Sequence, residues 1–186
     1  DEDDILHDNQ SLPLPPLTHR IAVVSASTAA GYGDFCHHVR HNPYHFRFSV
    51  QLFPAVMQGQ YVEESILSAL QQIADEADEW DVVVIIRGGG AVADLACFDT
   101  YHLAAAVAQF PLPVIVGIGH ERDETVLDYV AHKFVKTPTA AADFIIGNQT
   151  AQLTALDRFS ARIHDAATIA LRNRQDKLRN LTARMP

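Results

Sequence analysis

The chain of 186 residues has only two cysteines, Cys36 and Cys97, and no CxxC pair. That excludes a disulfide scaffold and a cysteine-rich zinc module, and it accords with a reducing cytoplasm. No apolar run approaches the roughly 18 to 20 residues of a membrane helix, so no span and no membrane partner are expected. The N-terminus, DEDDILHDNQ, is acidic where a secretory signal is basic, which predicts no export signal. GxGxxG, GxxxxGK(S/T) and GxSxG are missing, which weakens dinucleotide, ATPase and serine-hydrolase readings. Basic residues are scarce too. Residues 150–186 carry seven Lys/Arg against three Asp, a charge of +4, while the other 149 residues carry seven against twenty acids, −13. A nucleic-acid binder usually has a basic footprint, so charge alone argues against DNA, and any such role must rest on a local site.

What is present is an ordinary globular composition, 48% apolar and 20% charged. Residues 1–17, acidic and then proline-rich (LPLPPL), read as a linker or arm whose start suggests a preceding domain. From Arg20, apolar runs alternate with helical patterns. IAVVSA (21–26), FRFSVQLF (46–53), DVVVIIR (81–87) and PVIVGIG (113–119) read as strands. Helices are expected from the STAAGYGDF turn to about Arg40, with Thr28 as a cap, and over 61–77, 100–109, 123–132 and 139–149. DVVVIIR and PVIVGIG are apolar on both faces, as in a parallel sheet covered by helices. The expected fold is therefore α/β: a mostly parallel sheet with flanking helices over residues 18–149, with right-handed crossovers. Residues 150–186 differ. They contain no glycine, and no proline before Pro186. Leu153, Leu156, Phe159, Ile163, Ala167, Ala170, Leu178 and Leu181 recur at three/four spacing. This predicts a long amphipathic helix, the start of a coiled-coil arm open to self-association, rather than a helix folded back on the sheet.

Open α/β sheets bind ligands at the carboxyl ends of their strands. Three segments place suitable residues there: Ser25 to Asp34, Arg87 with Gly88, Gly89 and Gly90, and Gly117 to Asp123. Amides of a glycine turn cradle anions, and a guanidinium grips phosphate in a bidentate manner. His120 can move a proton near neutral pH. Asp34 and Asp123 can orient a water, a histidine or a metal. Each has a plainer reading. A lone GGG is commonly a tight turn, an arginine at a strand end is commonly solvated, and aspartates near helix starts are commonly caps. The weight lies in their convergence on one sheet edge. His37, His38, His41 and His45 cluster in sequence without a matching ligand set, so no metal site is assigned to them.

RIAVVSASTAAGYGDF (20–35), VVVIIRGGGAVADLACFD (82–99), PVIVGIGHERDETVLDYVAH (113–132) and KTPTAAADFI (136–145) together resemble the catalytic domain of exonuclease VII large subunits. The resemblance runs over about residues 17–186. It implies an exodeoxyribonuclease that cleaves phosphodiester bonds of single-stranded DNA to give oligonucleotides. It also implies a small-subunit partner, an N-terminal OB-fold in family members, and a coiled-coil arm. Its functional positions fall on Asp34, Arg87, His120 and Asp123. No cofactor is obligatory on this reading, although a divalent metal is compatible with it. The chain departs from the family pattern at Ala29 (usually Gly), Ala91 (usually Ser), Ala96 (usually Trp), Asp99 (usually Asn) and Phe134 (at the place of an Arg). A small-molecule phosphate enzyme and a non-catalytic scaffold are the alternatives.

Overall fold

The computed structural model describes residues 5–88, 95–118 and 125–183. Its core is a five-stranded, all-parallel sheet of order β2-β1-β3-β4-β5. The strands are β1 (Arg20–Ser25), β2 (Ser49–Pro54), β3 (Val82–Ile86), β4 (Val114–Gly117) and β5 (Lys133–Phe134). The helices are α1 (Asp8–Ser11), α2 (Ala30–Arg40), α3 (Val62–Asp75), α4 (Tyr101–Ala108), α5 (Val126–Val130) and α6 (Pro138–Thr182).

The central strands are buried on both faces because β3, β4 and positions 21–24 of β1 carry no polar side chain. Alternation divides those side chains between two cores. Ala22, Val24, Val83 and Ile85 pack with Ile66, Leu70, Leu103 and Leu127 of α3, α4 and α5. Ile21, Val23, Val82 and Val84 pack with Phe35 and Val39 of α2 and with Ala141 and Ile145 of α6. Helices thus cover both faces, with the start of α6 sharing one face with α2. The edge strand β2 instead alternates between exposed and half-buried positions.

Local chemistry sets the helix ends. Thr100 Oγ1 accepts the Leu103 N–H at the start of α4, and Thr137 Oγ1 accepts the Ala140 N–H at 3.1 Å ahead of Pro138, which suits a first helical position. Glu63 and Glu64 occupy the first turn of α3, where the helix dipole favours them.

The structure departs from the sequence expectations in four places. β2 starts at Ser49 rather than at residue 46, beyond a turn in which His45 has φ 57°. The α2 cap is Ala29, not Thr28, and no side chain caps that end. The expected 123–132 helix is described only as the short α5, and the unanticipated strand β5 follows it, held parallel to β4. Helices 139–149 and 150–182 are one element, since nothing in the sequence breaks it and Gly147 is tolerated inside.

Residues 5–17 are tied to the body by Asn9, which is fully buried. Its Nδ2 donates to the carbonyls of Phe110 and Leu112 at 3.1 and 2.9 Å, and its Oδ1 accepts the N–H groups of Val114 and His132, each at 2.9 Å.

The chain forms two units, residues 1–149 and 150–186. In the second, the regular helix leaves Leu156, Phe159, Ile163, Leu171 and Leu178 exposed. No helix among the described residues is long and apolar enough to cross a membrane.

Candidate functional site

In this strand order the chain leaves β1 toward β2 through α2, then crosses back through α3 to β3. The order in which strands are added therefore reverses between β1 and β3, and their carboxyl ends are where a parallel sheet opens a crevice. The structure has a cleft of about 650 Å³ at that point, bordered by Ala26–Ala30, Pro54–Gln58, Ser65, Arg87 and Gly88.

Close backbone approach builds the cleft floor. A Cβ on Gly31 would lie 2.6 Å from the Arg87 carbonyl oxygen and 2.8 Å from the Pro138 ring. A Cβ on Gly88 would lie 2.8 Å from the Ala29 Cβ and 3.1 Å from the Ala30 nitrogen. Only glycine at 31 and 88 lets the start of α2 seat directly against the end of β3. The methyl of Ala29 is accommodated here because its neighbour Gly88 has none. On the β2 side, the Ala55 N–H donates to the Ser25 carbonyl at 2.9 Å, and the Val56 N–H donates to Ser65 Oγ at 2.8 Å.

Arg87 dominates the electrostatics. It follows β3 directly and is only 7% exposed, yet its buried Nε has no hydrogen-bond partner. A buried donor left without an acceptor costs free energy unless a ligand supplies one. Beside it, α2 begins with no side-chain cap, and Ala29 and Ala30 at that positive dipole end line the same cleft. Ser25 Oγ, also fully buried and without a partner, ends β1. The described lining contains no Asp or Glu. Among the described residues, the acidic body thus has an acid-free, donor-rich lining at this point, which is the chemistry of an anion site.

Of the residues singled out from sequence, the structure brings Arg87 and Gly88 together with the Ser27–Ala30 turn. Asp34 lies one turn into α2, exposed and outside the cleft lining. Gly89, Gly90, His120 and Asp123, with the substituted position Ala91, lie outside the described residues. Phe134 sits in β5 opposite Val116. His38 Nε2 is 2.6 Å from Asp143 Oδ1, and His37 stacks on His41. No group of three His, Cys, Asp or Glu side chains among the described residues is placed to hold a metal ion. Sequence reasoning missed the wall formed by Pro54–Gln58 and Ser65. Its only signal was Gln58-Gly59 just after a strand, where Gly59 takes φ 83°.

Comparison with known proteins adds an independent line. The family described as "Exonuclease VII, large subunit" matches residues 5–186. The chain is 38% identical over 181 residues to the exodeoxyribonuclease 7 large subunit of a Nostoc species, covering 92% of this chain and 42% of that protein. It is 41% identical over 134 residues to the Cyanothece protein of the same name, covering 72% and 31%. With the Lactobacillus acidophilus protein of that name it shares 34% over 168 residues, covering 90% and 36%. The chain thus spans between about a third and two-fifths of the length of these relatives.

Proposed function

Because the chain belongs to the exonuclease VII large-subunit family, we propose that it hydrolyses phosphodiester bonds of single-stranded DNA to oligonucleotides, as the catalytic part of such a subunit. The observation that carries this reading is Arg87: buried, without a partner at Nε, and set beside the uncapped start of α2 at the sheet's switch point. Arg87 and the amides of Gly88, Gly89 and Gly90 hold the scissile phosphate and stabilise the charge that develops on its oxygens. A water oxygen attacks phosphorus, the bond from phosphorus to one ester oxygen breaks, and that oxygen leaves with a proton. His120 is the general acid or base for these proton transfers. It follows β4, the strand hydrogen-bonded to β3, so the topology supports its approach to Arg87. Asp34 and Asp123 orient His120 or the water, or hold a divalent metal where one is used.

Residues 18–149 are the catalytic domain on this reading, residues 1–17 a linker, and residues 150–186 the start of a coiled-coil arm. The arm's exposed Leu156, Phe159 and Ile163 are available to a small subunit or a second copy. Strand affinity comes mainly from that basic arm and from a separate strand-binding module, because the body is acidic. The reaction takes place in the cytoplasm.

The test is cleavage of a labelled single strand by the assembled enzyme, with binding followed separately at one salt concentration. His120→Ala is expected to lower turnover by about 10²- to 10⁴-fold while leaving binding nearly intact. Near-normal turnover would make His120 structural and end this mechanism.

A further inference from the structure

We propose that the cleft on the β1–β2 side of Arg87 is a nucleotide seat, which holds the nucleotide next to the scissile phosphate during cleavage. The inference rests on the reading of Arg87 as the ligand of that phosphate. It goes further in giving the strand a direction across the sheet edge.

The cleft is too large and too differentiated to serve a phosphate alone. At about 650 Å³ it lies within the range of roughly 300–1,000 Å³ that takes whole small molecules. Its two walls differ in chemistry. The wall after β1 is polar: Ser27 and Thr28 offer hydroxyls beside the uncapped start of α2 and the buried guanidinium of Arg87. The wall after β2 is largely apolar: Pro54, Val56 and Met57 line it, with Gln58 and Ser65 at its margin. Ser65 Oγ already accepts the Val56 N–H, so that wall is held in place and the Ser65 hydroxyl keeps a proton to donate. A nucleotide is divided in the same way, with an anionic phosphate at one end and a flat base at the other. The phosphate fits the α2 end of the cleft, and the base fits against the exposed Pro54 and Val56, with Met57 packed in the core behind them. Contact through a base face tolerates any base, as an enzyme degrading strands of any sequence requires.

The sheet order places this seat on one side only. β1 and β2 lie on one side of β3, and β4, which leads toward His120, lies on the other. The strand therefore enters over β2 and β1, reaches Arg87 at the end of β3, and leaves the β4 side open for proton transfer.

Two substitutions at exposed positions test the seat without disturbing the core. Val56→Asp puts a hydrated charge on the apolar wall, and Thr28→Glu puts a carboxylate at the α2 end, where the phosphate of the seated nucleotide would lie. Thr28→Val serves as the isosteric control, and thermal unfolding confirms that each variant folds. The readouts are kcat and KM on a labelled single strand with the full chain in complex with its small subunit, and inhibition by the dinucleotide pTpT. Val56→Asp and Thr28→Glu are each expected to raise KM and weaken pTpT inhibition by about tenfold, the size of one lost base or phosphate contact, with kcat changing much less. If both parameters stay within about twofold of the parent while Arg87→Ala abolishes cleavage, the seat is refuted and the role of Arg87 stands. If Arg87→Ala itself cleaves normally, the reading of Arg87 falls, and the seat falls with it.

Discussion

Two arginines sit at opposite edges of the same sheet and have opposite surroundings. Arg20 opens β1 at the amino edge, where its Nη2 meets Asp81 Oδ1 at 2.9 Å and its Nη1 donates to the Asp78 carbonyl at 2.8 Å. Asp81 Oδ2 also accepts the backbone N–H groups of His19 and Arg20, at 2.8 and 2.7 Å. Arg87 ends β3 at the carboxyl edge, is far more buried, and keeps its Nε without a partner. The amino-edge arginine is spent on joining β1 to the approach of β3. The carboxyl-edge arginine has no such partner at its Nε, although it is the more deeply buried of the two. Both begin as an arginine at one end of an apolar strand, so the difference lies in what the rest of the chain brings to each edge.

The largest effect that would sharpen this contrast comes from Arg87→Met. Losing a charged group that stabilises the transition state should cut cleavage by about 10²- to 10³-fold. The thermal midpoint should change little, because Arg87 Nε makes no hydrogen bond to the fold and an apolar chain of similar length fills its place. A large fall in the midpoint would make Arg87 a structural residue like Arg20 and would break the comparison.

Next comes the pin beneath the amino end of β4. Asn9→Ala leaves the groups of Phe110, Leu112, Val114 and His132 without their partner. At about 1–3 kcal/mol for each buried polar group left unpaired, partly recovered by water, denaturant unfolding should show a loss of at least ~3 kcal/mol. Cleavage measured well below the melting temperature should change little.

Asp81→Ala should cost less, ~1–3 kcal/mol, because Arg20 is partly open to solvent and its pairing is screened. Turnover should match the parent. A loss of turnover without a loss of stability would mean that the amino edge takes part in function.

The smallest effect is in pH dependence. Burial pushes the Asp81 carboxyl up, but the Arg20 guanidinium and the two backbone N–H groups outweigh it and hold the carboxyl below its ordinary value. The folded state thus binds this proton less readily than the unfolded state. The stabilisation is fully present above the ordinary carboxylate value of about 3.9 and is lost as pH falls through the lower folded value. Urea midpoints measured between neutral pH and the acid limit should fall less steeply for Asp81→Asn than for the parent below about pH 4. Parallel curves would remove Asp81 from the acid sensitivity.

The chain by itself determined the class of fold. β3 and β4 are legible because a strand covered on both faces must be apolar at every position, and 82–86 and 114–117 are. The long helix is legible over 150–182, where no glycine or proline interrupts it, but its continuity with 139–149 across Gly147 is not. Arg87 and Gly88 could be placed at a sheet edge because they end such a strand. β5 was hidden because two residues carry no readable periodicity, and it forms only through its pairing with β4. Asn9 was hidden because its four partners lie more than a hundred residues away, and nothing in an acidic, proline-rich start marks one asparagine as buried. The wall from Pro54 to Gln58 came into view only with the strand order, which places the end of β2 beside β1. Local sequence sets which face of an element is apolar, through short-range periodicity. Which polar side chains find partners is set by contacts between distant segments, and that left Arg20 paired with Asp81 and Arg87 buried with no partner at Nε.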